Sequence, residues 1–302
     1  MAGHAPRQPE EDVGPILVLA SAGFIGQAVC ERAPSAIGFS RQHGLDLLDP
    51  LGLARLIGEV RPSAVINCSG MPGKAPAHQQ YAVHVQGTLN LLQAVRDHAP
   101  GAAVVILGSA AEYGSPGLYP TPEEAPARPR SIYGASKLAQ THLAAAAAAE
   151  WGLRLVVARL FNVIGPGLPP QYFLASLASR LRTGAGPVAV DGFPCTRDFV
   201  DVRDVACALA LLTRAATPGE SLVVNVGSGS EASVGEVAAY LGSLAGREVV
   251  DSGKPGGLAR SVADVRKLRE LTGWEPAFPW RESVRAYWAS LMASPGREGE
   301  PT

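Results

Sequence analysis

The chain has 302 residues, 47 % hydrophobic and 18 % charged, with a formal net charge of -1. That length suits one large α/β domain, or a core domain with a smaller lobe. The near-neutral balance gives no basic field to attract nucleic acid or an anionic membrane surface.

Residues 1–13 are polar, rich in Pro and Glu, and expected to form a disordered tail. The apolar stretch Ile16–Cys30 does not read as a signal peptide: Glu10, Glu11 and Asp12 precede it, and Gly23 and Gly26 break it. No run reaches the roughly 18–20 apolar residues a bilayer span needs. Cys30, Cys68, Cys195 and Cys207 form no C-x-x-C pair. They read as reduced, mostly buried thiols of a cytoplasmic protein, with no metal site.

Short runs rich in Val, Ile and Leu recur at Ile16–Leu19, Ala36–Phe39, Ala64–Cys68, Val104–Leu107 and Leu153–Ala158, each bounded by Gly, Pro or Ser. That is the pattern of buried parallel strands. Helical patterns lie between them at Gly26–Arg32, Leu51–Val60, Val83–His98 and Ile132–Trp151. Ser131 and Gly152 mark the ends of the last one, and its alanine run favours helix. The alternation predicts an α/β fold: a Rossmann doubly wound parallel sheet, with its crevice at the carboxyl ends of the strands. After Gly165 the pattern changes to Gly/Pro-rich loops, helices at Gln171–Arg182 and Ser233–Gly246, and one more strand at Leu222–Val226. We expect a Rossmann core over residues 14–165, joined by about 201–230. A smaller, discontinuous C-terminal substrate-binding lobe takes 166–200 and 231–292, and 293–302 form a second tail.

Ala20, Gly23, Phe24, Ile25 and Gly26 follow the first strand and open a helix, the position for a dinucleotide turn. Glycines there admit a pyrophosphate, although Ala20 stands at the usual first glycine. The second strand ends at Phe39-Ser40-Arg41, without the acidic residue that accepts from an adenosine ribose. Ser40 and Arg41 suit a 2′-phosphate, so NADP(H) is favoured and NAD(H) stays possible; a solvated arginine is the plain alternative. Asp46 reads either as a contact to the adenine edge or as a turn residue.

Tyr133 and Lys137 are four residues apart and share one helix face. An ammonium beside a phenol is expected to lower the phenol pKa, in a centre where Tyr133 passes a proton to a carbonyl oxygen. As an isolated pair, Tyr-x-x-x-Lys is more often an exposed helix pattern. Ser109, after the Val104–Leu107 strand, either steadies a developing oxyanion or caps a turn. In this order along the chain, Ser109, Tyr133 and Lys137 read as one catalytic centre.

Together these motifs resemble the extended short-chain dehydrogenase/reductases, the nucleotide-sugar epimerase/dehydratase group. The resemblance runs from Ile16 to Trp288 and includes Gly87-Thr88-Leu89-Asn90, Gly108-Ser109-Ala110-Ala111-Glu112-Tyr113-Gly114, Arg159-Leu160-Phe161-Asn162, Arg197-Asp198-Phe199-Val200-Asp201, Asn225-Val226-Gly227-Ser228 and Thr272-Gly273-Trp274-Glu275-Pro276. It implies a nicotinamide cofactor and a nucleoside-diphosphate sugar substrate. It also implies proton transfer by Tyr133 with Lys137 and Ser109, and substrate contacts from Asn162, Arg197, Lys254 and Arg260. For Arg197 the alternative is an ion pair with Asp198 or Asp201. It implies a homodimer through the Val83–His98 and Ile132–Trp151 helices. His84 departs from the group's asparagine and reads as a packed, hydrogen-bonded histidine. Dehydratases of the group carry Asp-Glu where Ala110 and Ala111 stand, so dehydration is not expected, and Glu112 is expected to point away. The leading reading is an NAD(P)H-dependent oxidoreductase that reduces the C4 ketone of a TDP- or GDP-linked 4-keto-6-deoxyhexose in deoxysugar biosynthesis. An NAD-dependent nucleotide-sugar 4-epimerase is the runner-up. A catalytically silent NAD(P)-binding sensor draws support from Ala20 and His84 alone.

Overall fold

A computed structural model describes residues 14–293. The two expected tails, apart from Ala293, lie outside the described residues. Six parallel strands form the central sheet: β1 (Ile16–Leu19), β2 (Ala36–Phe39), β3 (Ala64–Asn67), β4 (Ala103–Ser109), β5 (Arg154–Leu160) and β6 (Ser221–Val226). Their order is β6-β5-β4-β3-β1-β2. The chain leaves β1 toward β2 and returns to β3 on the other side, so the crevice opens at the carboxyl ends of β1 and β3. This is the doubly wound sheet predicted from the alternating runs.

Alternation within the strands fills both faces. Leu17, Leu19, Val65, Val104, Ile106, Leu155 and Val157 face the helices Pro50–Val60, Gly87–His98 and Ile132–Trp151. Val18, Ile66, Val105, Val156 and Val224 face the helices Phe24–Arg32 and Val202–Leu212. Each buried Val, Leu or Ile side chain contributes about 1.5–3 kcal/mol, so these two layers set the sheet's register. A third cluster gathers Leu174, Leu177, Leu181, Val188, Phe199, Val237, Leu241 and Tyr287 from the later segments.

The Ile132–Trp151 helix has the predicted bounds: the Ser131 hydroxyl accepts from Gly134 N–H, and Gly152 takes the left-handed turn at φ 70°. The predicted Val83–His98 helix is different. A short helix, Ala77–Tyr81, runs into a wide π turn, Ala82–Gln86, and regular helix begins at Gly87. The first helix starts at Phe24, not Gly26. The four cysteines are free thiols, and Cys195 alone is fully buried; Cys30, Cys68 and Cys207 are half-buried, more open than expected. No helix among the described residues is long and apolar enough to cross a membrane.

Candidate active site

β4 delivers Ser109 to the carboxyl edge of the sheet, where a tight turn, Ala110–Glu112, begins. The Ser109 hydroxyl accepts from Ala111 N–H at 3.2 Å, and it lies close enough to the Tyr133 phenol to pull its pKa down. The capping reading of this serine holds, and the same hydroxyl lies beside the Tyr133 phenol. Gly134 makes the approach possible. A Cβ there would stand 2.5 Å from the Ala111 carbonyl oxygen, so any larger residue pushes the helix off the Ser109 turn.

Lys137 is buried, and its Nζ donates to the Leu107 carbonyl (2.9 Å) and to Gln140 Oε1 (3.0 Å). Gln140 in turn donates to Thr88 Oγ1 at 2.8 Å. Burial lowers the lysine pKa to about 8 against the opposing pull of Glu112. Burial raises the Tyr133 pKa to about 12, offset in part by the Ser109 bond. The expected lowering of the phenol by Lys137 is thus corrected. The ammonium is turned to backbone and amide acceptors, and burial dominates at the tyrosine. A protonated phenol is the form a proton donor needs.

Glu112 is buried and points away from the reacting edge, as expected. Its carboxylate accepts from Ser109 N–H (2.8 Å), Thr141 Oγ1 (3.0 Å) and Arg159 Nε (2.8 Å), tying β4, β5 and the helix beneath the serine. Ala110 and Ala111 bring no acid or base to the turn. His84 is the packed, hydrogen-bonded histidine anticipated: Nδ1 lies 2.8 Å from Ser136 Oγ and Nε2 accepts from Met71 N–H at 3.0 Å.

At the other end of the crevice, Gly23 caps the Phe24–Arg32 helix with no side chain over its N-terminus. A Cβ on Gly26 would lie 2.8 Å from Ser21 Cα, so the turn closes only around glycine. Phe24 and Ile25 open the helix, and Phe24 packs against both the sheet core and the third cluster. Ala20 adopts φ 57°, a left-handed conformation that glycine enters more cheaply. Past β2, the Ser40 hydroxyl bonds His43 Nδ1 (3.1 Å) and Arg41 is exposed. Asp46 is a turn residue, accepting from Leu48 N–H at 2.9 Å. The uncapped helix end, the glycine turn and the absence of a carboxylate at Ser40-Arg41 fit a phosphate-rich dinucleotide.

The remaining candidates divide. Arg197 is half-buried and donates to the Thr196 carbonyl (2.8 Å), with Cys195 as a second partner. The ion-pair alternative fails: Asp201 holds Arg203, and the Asp198 carboxylate takes Ser228 N–H and Oγ together with Gly229 and Ala263 N–H. Arg260 does form an ion pair, gripping both Glu231 oxygens at 2.8 and 3.0 Å over the Tyr119 ring. Lys254 lines a shallow cavity of about 460 Å³ with Cys195, Asp251 and Pro255. Asn162 spends its Nδ2 on the Asp198 carbonyl at 3.2 Å. Tyr172, which the sequence reading passed over, lies near enough to Tyr133 to raise its pKa.

The other motifs hold the frame. Tyr113 OH donates to Asn225 Oδ1 at 2.7 Å, and a Cβ on Gly227 would lie 2.5 Å from Asp198 Oδ2. Trp274 Nε1 donates to the Asp204 carbonyl at 3.1 Å.

The chain is 32 % identical over 299 residues to GDP-6-deoxy-D-mannose reductase of Pseudomonas aeruginosa, covering 90 % of this chain and 95 % of the relative. It is 35 % identical over 213 residues to UDP-glucose 4-epimerase of Streptomyces lividans, covering 64 % of each. The solved structure described as RMD from Pseudomonas aeruginosa complexed with NADPH superposes with a TM-score of 0.81 at 28 % identity, covering 92 % of this chain and 99 % of that one. The model of the NAD dependent epimerase/dehydratase family matches residues 16–227, and the chain belongs to that family.

Proposed function

We propose that this protein is a nucleotide-sugar 4-ketoreductase, which reduces the C4 ketone of a TDP- or GDP-linked 4-keto-6-deoxyhexose with NADPH. The observation that carries the reading is a complete proton-donating centre, Ser109–Tyr133 with buried Lys137, above a turn where Ala110 and Ala111 leave dehydration without its acid and base. The near-full-length match to a reductase, and the NADPH in the similar solved structure, support the same choice.

The glycine turn at Gly23 and Gly26 would hold the cofactor pyrophosphate, and Ser40 and Arg41 the 2′-phosphate. The bound nicotinamide supplies the hydride that reaches C4. Tyr133 donates its phenolic proton to the C4 oxygen and Ser109 steadies the developing oxyanion, while Leu107 and Gln140 hold the Lys137 ammonium one helical turn away. Arg197, a guanidinium without a carboxylate partner among the described residues, suits the substrate diphosphate, and Lys254 lines the cavity beside Cys195. Arg260, committed to Glu231, has a smaller part, and Asn162 positions the Asp198 segment. The proposal includes a cytoplasmic homodimer through the helices Gly87–His98 and Ile132–Trp151.

The test is NADPH or NADH oxidation, followed at 340 nm, with TDP- and GDP-4-keto-6-deoxyhexoses. Stoichiometric oxidation supports the ketoreductase. Interconversion of nucleotide hexoses without net oxidation would replace it with the 4-epimerase, the second reading, favoured by the Streptomyces relative.

A further inference from the structure

The loop after β3, residues 68–76, crosses the catalytic pair. A Cβ on Gly70 would lie 3.7 Å from both Lys137 Nζ and His84 Nε2, and one on Gly73 would lie 3.5 Å from Tyr133 Cβ. Two buried side chains, one helical turn apart on Ala77–Gln86, hold that loop by its backbone. Gln80 Nε2 donates to the Gly73 and Ala75 carbonyls at 3.2 and 2.7 Å. His84 Nε2 accepts from Met71 N–H at 3.0 Å.

That acceptor role fixes the ring's tautomer. The proton sits on Nδ1 and is donated to Ser136 Oγ, which donates to the Tyr133 carbonyl at 2.9 Å. The His84 ring also meets the Tyr133 ring edge-on, with centroids 5.7 Å apart. Burial, reinforced by the Lys137 charge, holds the ring pKa at about 3, so neutral imidazole is the working form. Gln80 Oε1 is the one buried side-chain polar atom among the described residues that lacks a hydrogen-bond partner. An orphaned buried carbonyl is destabilising. A glutamine in that place is accounted for by the two loop carbonyls its amide nitrogen holds.

We propose that Gln80 and His84 are positioning residues which latch the 68–76 loop onto Tyr133 and Lys137, with Met71 N–H to His84 Nε2 as the decisive bond. The catalytic consequence rests on the reaction proposed above; the latch itself does not.

Three variants of His84 separate its two bonds. In His84→Gln the amide reaches the Nε2 position and keeps Met71. In His84→Asn the amide stops at the Nδ1 position and keeps Ser136 instead. His84→Leu keeps neither. Amide hydrogen exchange over residues 68–76 reads the latch, and steady-state ketoreduction reads its effect. We expect His84→Gln to stay within about threefold of wild type in both readouts. His84→Asn and His84→Leu lose protection at Met71 and about 10–100-fold in kcat, with KM changed less than about threefold, as expected for a small misplacement of reacting groups. Gln80→Met deprotects Gly73 to Ala75, and its effect on kcat is less than additive with that of His84→Leu. Wild-type exchange and kcat in His84→Asn, or a loss that His84→Gln does not restore, would overturn the proposal. Deprotection in His84→Leu, in a protein that reduces no nucleotide ketosugar, would leave the latch standing and remove the reaction.

Discussion

Lys137 and Arg260 are both cations within the proposed machinery, and their surroundings are opposite. Lys137 is 3 % exposed, and its ammonium has only neutral acceptors, a carbonyl and an amide, within hydrogen-bond reach. The Arg260 side chain is 41 % exposed and already bound to the carboxylate of Glu231. A charge that is buried among neutral acceptors is poorly compensated, and it titrates early. A charge that is exposed and paired contributes little beyond the pair itself. The centre on the sheet edge is therefore expected to be sensitive to single atoms, and the rim of the later segments tolerant.

The largest effect is expected at Tyr133. Tyr133→Phe removes the donated proton and should lower kcat by about 10²–10⁴-fold with KM little changed; a raised KM with kcat unchanged would point to binding instead. Gly134→Ala comes next. Its methyl meets the Ala111 carbonyl at 2.5 Å, so Tyr133 must leave the Ser109 turn, with about a 10–100-fold fall in kcat. A crystal structure of that variant would show the displaced phenol.

Lys137 gives a pH test with opposite signs for activity and stability. Its pKa is lowered to about 8 in the folded protein from an ordinary 10.5. Activity that needs the ammonium should fall as pH rises through about 8, while Tyr133, held near 12, keeps its proton. Between about 8 and 10.5 the unfolded chain binds more protons at this site, so the lysine's contribution to stability rises with pH. Thermal unfolding of wild type beside Lys137→Met should show the difference changing in that direction, and a kcat profile flat to pH 10 would contradict the account.

The smaller effects lie on the rim and in the nucleotide turn. Arg197→Ala should raise KM for the nucleotide sugar by about tenfold or more, and Arg260→Ala by less than about threefold, because an exposed pair is worth little. Ala20→Gly relieves the left-handed φ of 57° and should raise Tm by a few degrees, about 1 kcal/mol, which differential scanning calorimetry would register.

The strands and the Ile132–Trp151 helix were legible because their signals are local: apolar runs between breakers, a serine cap and a glycine stop. The same reasoning placed Ser109, Tyr133 and Lys137 in chain order. It took residues 83–86 as the start of a regular helix because the wide turn before Gly87 has no composition of its own. It missed the Val202–Leu212 helix, whose cap Asp201 and first-turn Asp204 read as motif residues. The direction of the Tyr133 shift was out of reach, since it depends on how deeply the phenol is covered and where Lys137 Nζ turns. The commitments of Arg260 to Glu231, 29 residues away, and of His84 to Ser136, 52 residues away, follow only from the folded chain.

The central claim is that hydride reaches C4 of a nucleotide ketosugar while Tyr133 supplies the proton. Its most direct test is NADPH deuterated at the transferring nicotinamide carbon, incubated with a TDP- or GDP-4-keto-6-deoxyhexose and wild-type protein or Tyr133→Phe. The account predicts one deuterium at C4 of the product for each cofactor oxidised, and loss of that transfer in the variant. Product formed without deuterium at C4, or labelling undiminished in Tyr133→Phe, would contradict it.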